Sequence, residues 1–170
     1  MADRDFTVRA FRPSDAQAFA QLNLRWIKEH FGVEDEDNRM LNEPAATILD
    51  PGGYIAIAEC NGAAIRTGAL MVPHTPSKEH PWLELVKMAT DPSAQGKGVG
   101  SAVLDHLIGI ARDRGVEAIW LETNDKLAAA TRLYARKGFK PLSKEDEHPT
   151  PYSRCNLQMV LKLPSESSAS

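Results

Sequence analysis

Apolar and polar positions change their period several times along the chain, and each change predicts an element. Residues 6–11 alternate well enough for a first strand. Pro13-Ser14 then opens a helix: Ser14 with Gln17 three residues on fits a capping box, and Phe19, Leu22, Trp26, Ile27 and Phe31 recur at helical spacing. A second helical stretch is expected from about residue 36 to 49, stopped by Asp50-Pro51-Gly52-Gly53. Strand patterns return at residues 54–59 and 64–72, and Asn61-Gly62 between them is a strong hairpin signal. Residues 82–89 make a further strand, followed by a glycine-rich turn and a helix to Arg114 capped by Gly115. Residues 118–123 read as a strand and 126–137 as a helix ended by Gly138; two last strands are expected near 139–142 and 152–163. The order β-α-α-β-β-β-α-β-α-β-β puts an antiparallel meander before a βαβ crossover. That predicts an α/β (α+β) fold: a mixed, mostly antiparallel sheet of about seven strands with helices on both faces.

Composition narrows the class. A chain of 170 residues suits one domain, here 1–163, followed by a polar tail 164–170 that reads as flexible. Its 42% hydrophobic content excludes a chain that is disordered throughout. No apolar run approaches the ~18 residues a membrane span needs, and MADRDFTVRA lacks an apolar signal core, so a soluble cytoplasmic protein without a membrane partner is expected. The net charge of −3 argues against a nucleic-acid partner. Cys60 and Cys155 cannot build a disulfide framework or a CxxC site and are expected as small buried hydrophobes. His30, His74, His80, His106 and His148 show no HxH or HxxxH pair, so no metal is expected.

Candidate chemistry begins at Asp91, in the stretch DPSAQGKGVGSAVLDHL. A helix N-terminus exposes N–H groups and the positive end of the macrodipole, and glycines ahead of it let an anion approach the backbone. Val99, Val103 and Leu107, with Leu104 and Ile108 beside them, mark the buried stripe of that helix. The nucleotide P-loop is excluded, because Asp91 stands where its first glycine belongs and Gly98 where its Ser or Thr belongs. The dinucleotide fingerprint is excluded because its third glycine falls on Ser101.

What the stretch matches is Q/R-x-x-G-x-G/A, written here by Gln95, Gly96, Lys97, Gly98, Val99 and Gly100. With LVKMATDP ahead of it, LETN at 121–124 and LYARKGF at 133–139, the chain resembles the GNAT superfamily of N-acetyltransferases. The resemblance implies acetyl-CoA as cosubstrate, without a metal. It implies that the backbone of Met88, Ala89 and Thr90 holds the pantetheine arm and that the N–H groups from Gly96 to Ser101 hold the pyrophosphate. Such an arm joins a strand edge through main-chain bonds.

Acetyl transfer to an amine needs a base, oxyanion stabilisation and a proton for the departing thiolate. By resemblance Tyr134 is the proton source; otherwise it packs with Leu127 and Ala130 on one helix face. The family often carries a glutamate in the strand before the turn, which makes Glu84 the candidate base, with Glu122 and His80 as rivals. Alternation puts Glu84, Val86, Met88 and Thr90 on one face and Leu85, Lys87 and Ala89 on the other. Leu127 stands where the family often has asparagine; Asn124 either reaches the cofactor or caps the next helix. The acceptor side is expected from the first two helices and the last hairpin. The acidic run 34–37 suits a cationic amine or is solvated surface, and the loop 145–151 borders the same side. Arg25, Arg39 and Arg154 would suit an amino-acid carboxylate instead. The implied function is acetyl transfer to a primary amine of a small molecule or peptide. The alternative is a non-catalytic acyl-CoA sensor or scaffold, and a homodimer stays open.

Overall fold

The computed structural model describes residues 5–73 and 82–164. His74, His80 and the tail from 165 on lie outside the described residues. Among the described residues, seven strands are β1 (Thr7–Ala10), β2 (Tyr54–Cys60), β3 (Ala63–Met71), β4 (Trp82–Thr90), β5 (Ala118–Thr123), β6 (Lys140–Pro141) and β7 (Leu157–Lys162). They lie in the order β1-β2-β3-β4-β5-β7-β6. Strands β4 and β5 run parallel, whereas β1–β2, β2–β3, β5–β7 and β6–β7 are antiparallel. The helices are α1 (Ala16–His30), α2 (Asp35–Asn42), α3 (Val99–Asp113) and α4 (Ala128–Arg136). This is the mixed sheet with helices that the hydrophobic pattern predicts. The chain divides into two compact units, Met1–Met71 with Val86–Leu107, and Val72–Leu85 with Ile108–Ser170.

In the first unit, Phe19 and Ile27 of α1, Met40 and Leu41 of α2, Ile55 and Ile57 of β2, and Ala69 and Met71 of β3 bury one core, with Val86 packed against it. Each large aliphatic side chain so buried contributes about 1.5–3 kcal/mol. The β2–β3 hairpin closes through Asn61 at φ 51° and Gly62 at φ 81°, the paired positive angles that a two-residue primed turn requires. Entry into α1 departs from the expected Ser14–Gln17 box. Residues Pro13–Asp15 form a 3₁₀ turn, and Asp15 accepts the N–H of Arg12 at 2.7 Å. Arg9 of β1 forks onto the same carboxylate at 2.7 and 2.9 Å and donates through Nε to Glu59 of β2 at 2.8 Å. The second helical stretch is also shorter than expected. Helix α2 ends at Asn42 because Pro44 cannot donate an N–H, and residues Ala45–Leu49 continue as a π-type turn.

In the second unit, β5 pairs along its whole length with β7, from Ala118↔Lys162 to Thr123↔Leu157. Leu83, Leu85, Ile119, Leu121, Tyr134, Phe139, Met159 and Leu161 are buried. Both final strands are shorter than the pattern predicts. Pro141 has no N–H to donate within β6, and after it a single bond from Leu142 N to Gln158 O at 2.9 Å is the last main-chain bond to β7 on that side among the described residues. Residues before β7 are taken up elsewhere: Arg154 O accepts from Asn124 Nδ2 at 2.7 Å, and Asn156 Oδ1 accepts the N–H of Asp125 at 2.9 Å. The two cysteines form no disulfide, and both are half-buried rather than buried. Among the described residues no helix is long and apolar enough to cross a membrane, and no cluster of metal-ligating side chains occurs.

Candidate active site

The glycine turn lies in the first unit. After β4, Asp91 caps a 3₁₀ turn, Pro92–Ala94, by accepting the N–H and O–H of Ser93 at 2.9 and 2.6 Å. The Ser93 hydrogen bonds hold the Asp91 carboxyl below the usual carboxylate range. Gly96 and Gly98 then adopt φ 79° and 75°, the left-handed region in which other L-residues are strained. Gly96, Lys97 and Gly98 are exposed. The first bond of α3 runs from Ala102 N to Gly98 O at 3.1 Å, which makes Gly98 the N-cap. A glycine cap has no side-chain oxygen for the amides of the first turn, so these are the donors an anion would take. The predicted stripe Val99, Val103, Leu104, Leu107 and Ile108 is buried.

One cation beside this turn escapes motif reading. Arg66 of β3 brings its guanidinium carbon to 3.1 Å from where a Cβ on Gly100 would stand. A guanidinium next to the positive end of a helix is electrostatically unfavourable on its own, and an anion between them relieves both. Asp91 N–H donates to Ile65 O at 2.8 Å, so the strand that carries Arg66 and the start of the turn are fixed together.

Strand β4 does not alternate as expected. Lys87 has φ 56°, a left-handed conformation that costs a non-glycine residue on the order of 1–3 kcal/mol. Val86 packs on the α1–α2 core, and the next residue, Lys87, reaches Asp37 of α2. Met88 Sδ instead stands near Gly68, where Val103 and Leu107 of α3 also converge. The kink therefore puts Val86 and Lys87 on one side and Met88 on the other, so Val86 and Met88 do not share a face. Ala89 is buried, and Thr90 carries its Oγ1 buried without a hydrogen-bond partner among the described residues. The β4–β5 ladder stops at Leu85↔Leu121, before Met88–Thr90.

The residues expected to move protons lie in the second unit. Glu84 is fully buried and stands opposite Trp120 of β5 in the parallel register. The ring of His148 lies 5.0 Å from Trp120 and 5.6 Å from Trp82. Gln158 accepts from Trp120 Nε1 at 3.2 Å and clasps the His148 main chain with two bonds of 2.7 Å. This aromatic cluster beside Glu84 is absent from the sequence reading, because His148 sits in a loop without periodicity. Glu122 opposes Gln158 across the β5–β7 ladder, with both carboxylate oxygens buried. Tyr134 is buried on α4, its ring 5.8 Å from that of Phe139. Asn124 uses both ends of its amide, donating to Arg154 O in the segment before β7 and accepting the N–H of Lys126 at 2.9 Å. It is not the helix cap, since α4 starts at Ala128 with Leu127 in the N-cap position and no side-chain cap bond.

The acidic run 34–37 is not an open anionic surface. Asp37 is buried and paired with Lys87, while Glu36 accepts from Arg39 Nε at 3.0 Å. Arg25 lies 4.0 Å from Asp91, and Arg154 stacks over Tyr152 at 4.4 Å.

The model of the acetyltransferase (GNAT) family matches residues 17–139. The chain belongs to this family. Among curated GNAT relatives, a mycothiol acetyltransferase from Beutenbergia cavernae is 31% identical over 150 residues, which is 85% of this chain and 48% of that protein. A ribosomal protein bS18-alanine N-acetyltransferase of Escherichia coli K12 is 39% identical over 81 residues, 47% of this chain and 54% of that one. The chain thus spans about half the length of the curated relatives it matches. The GNAT fold is matched by the phosphinothricin acetyltransferase of Sinorhizobium meliloti solved in complex with acetyl-CoA. Its TM-score is 0.77 at 17% identity, covering 98% of this chain and 92% of that one.

Proposed function

We propose that this GNAT chain transfers the acetyl group of acetyl-CoA to a primary amine of a small molecule or peptide. The observation that carries the reading is the turn itself: two left-handed glycines, Gly96 and Gly98, lead into a helix whose N-cap has no side chain. Its fit to a pyrophosphate is chemical, since the exposed turn Gly96–Gly98, the first-turn amides behind it and the nearby Arg66 guanidinium supply donors and positive charge. Met88, Ala89 and Thr90, beyond the end of the β4–β5 ladder, would take the pantetheine amides through their main chain.

Bound acetyl-CoA supplies the thioester carbonyl as electrophile. In the proposed roles, Glu84 receives the proton of the acceptor ammonium, directly or through water. The amine nitrogen then bonds to the carbonyl carbon as the carbon–sulfur bond breaks, Tyr134 gives its phenolic proton to the thiolate, and the second nitrogen proton leaves to solvent, from which the phenolate recovers its own. From the reference values of about 10 for a phenol and about 8.5 for a thiol this transfer is uphill by only about 2 kcal/mol, which a catalytic step can absorb. The names of the two relatives point to different acceptors, mycothiol chemistry in one and an alanine of a ribosomal protein in the other. A thiol-release assay with acetyl-CoA and a panel of alkylamines, amino acids and alanine-ended peptides tests the activity; no release with any amine would favour an acyl-CoA-binding module.

The cofactor site has its own test. Gly98→Glu sets a negative charge and a strained φ at the cap, and calorimetry is expected to show acetyl-CoA binding largely lost. Gly98→Asn, which tolerates the left-handed region, is expected to keep more of it. Equal affinity in wild type and Gly98→Glu would remove this assignment.

A further inference from the structure

Lys87 is held at both its main-chain and side-chain ends. Its carbonyl accepts the hydroxyl of Thr67 on β3 at 2.7 Å. Thr67 Oγ1 accepts in turn from Asn23 Nδ2 on α1 at 3.0 Å, and the same amide nitrogen donates to Phe19 O at 2.9 Å. At the other end, Lys87 Nζ meets Asp37 Oδ1 at 2.7 Å with the two side chains 4% and 0% exposed. Asp37 Oδ2 accepts the N–H of Glu34 at 2.9 Å, which fixes the start of α2. Every contact in this chain lies within one compact unit.

A residue in a sparsely populated backbone region persists only where its surroundings over-determine it. Here the surroundings are polar, buried and drawn from α1, α2 and β3. A buried ion pair contributes little net stability, because desolvation offsets the attraction, so stability is a poor reason for this one. Geometry is the better reason. The kink at Lys87 separates the side of the strand taken by Val86 from that taken by Met88. Met88–Thr90, which follow at once, are the segment assigned to the pantetheine.

We propose that Lys87, Asp37, Thr67 and Asn23 are positioning residues: they hold the β4 kink so that the main chain of Met88–Thr90 is set for acetyl-CoA. The inference rests on the cofactor reading above. It also gives Asp37 a task other than drawing in a cationic amine, and it makes cofactor affinity depend on helices that carry no cofactor ligand.

Two variants probe the two ends separately. Thr67→Val keeps the shape and removes only the hydroxyl that Lys87 O accepts. Lys87→Met with Asp37→Asn removes both charges and leaves an oxygen for Glu34 N–H. Calorimetry with acetyl-CoA is expected to show a Kd raised about fivefold by Thr67→Val, the size of the one bond lost at Lys87 O, while Asn23 Nδ2 keeps its bond to Phe19 O, with Thr67→Ser near wild type. The double variant is expected to weaken binding at least as much, with Tm shifted by only a few degrees. Amide hydrogen exchange at Met88–Thr90 in the unliganded protein is expected to rise in both. Wild-type Kd and wild-type exchange in Thr67→Val overturn the proposal, and Thr67→Val alone decides if the double variant fails to fold. If wild-type protein fails to bind acetyl-CoA, the cofactor reading falls and this inference with it. If only the variants match wild type, this inference falls alone.

Discussion

Tyr134 and Glu84 are both buried, so removing their chemistry without changing their volume is the clean test at the scale of the residue. Tyr134→Phe keeps the ring against Phe139 and deletes the proton donor. If the phenol is the general acid, kcat is expected to fall about 10- to 1,000-fold with little change in acetyl-CoA affinity. An unchanged kcat, with chemistry shown to be rate-limiting, would reduce Tyr134 to packing. Glu84→Gln keeps shape and removes basicity. An alkylammonium has a pKa of about 10.4, so a proton must leave before attack at neutral pH. The variant's kcat/KM is expected to be low near pH 7 and to recover partly as pH rises and free amine accumulates. A wild-type pH profile at full activity would move the base elsewhere, with Glu122 the next carboxylate to test.

Among elements, the junction of β1 with α1 carries the most concentrated charge. Arg9 makes a two-pronged contact with Asp15 and a third bond to Glu59, and the Asp15 side chain is only 9% exposed. The Arg9 guanidinium holds the Asp15 carboxyl below its usual range. A depressed carboxylate stabilises the fold above its unfolded pKa of about 3.9, and that contribution is lost as pH falls through the folded value. Asp15→Asn leaves Arg9 half-satisfied and is expected to cost about 1–3 kcal/mol in urea unfolding at pH 7. The gap between wild type and variant should narrow as pH falls below about 3.9 and close as it passes through the lower folded value. A variant as stable as wild type at pH 7 would show that solvent supplies what Asp15 does. Expected and observed elements differ mainly at their ends. Pro44 ends α2 inside the stretch expected to run on to residue 49, while the shortening of β7 depends on Asn124 and Asp125 drawing residues 154 and 156 into a loop.

For the molecule as a whole, a histidine sets an acid limit above that of the carboxylates. His106 on α3 shares a hydrogen bond of 2.8 Å with Tyr54 Oη, and burial lowers its pKa from the ordinary value. Its neutral form is thus favoured by folding. Stability from this group is full above the unfolded pKa of about 6.5 and is lost as pH falls through that value toward the lower folded one. Thermal melts between about pH 7.5 and 5 are expected to show Tm falling for wild type and falling less for His106→Gln, whose amide can still bond Tyr54. Parallel declines in the two proteins would put the acid sensitivity elsewhere.

The sequence by itself determined what is written within a dozen residues. The strand and helix periods, the Asn61-Gly62 turn and the glycines at 96 and 98 are local, because backbone angles and side-chain alternation are decided by near neighbours. The glycine motif was legible for the same reason, because glycine is the residue type that marks a backbone taking left-handed angles ahead of a helix. Tertiary structure alone decided the rest. Lys87 and Asp37 are 50 positions apart, and nothing near either residue says that its charge is buried and paired. The same holds for Arg66 beside Gly100 and for Trp82, Trp120 and His148 beside Glu84. A charge on an alternating strand reads as surface until the element that covers it is known. The kink at Lys87 breaks alternation because contacts from α1, α2 and β3 outweigh the local preference of a lysine for negative φ.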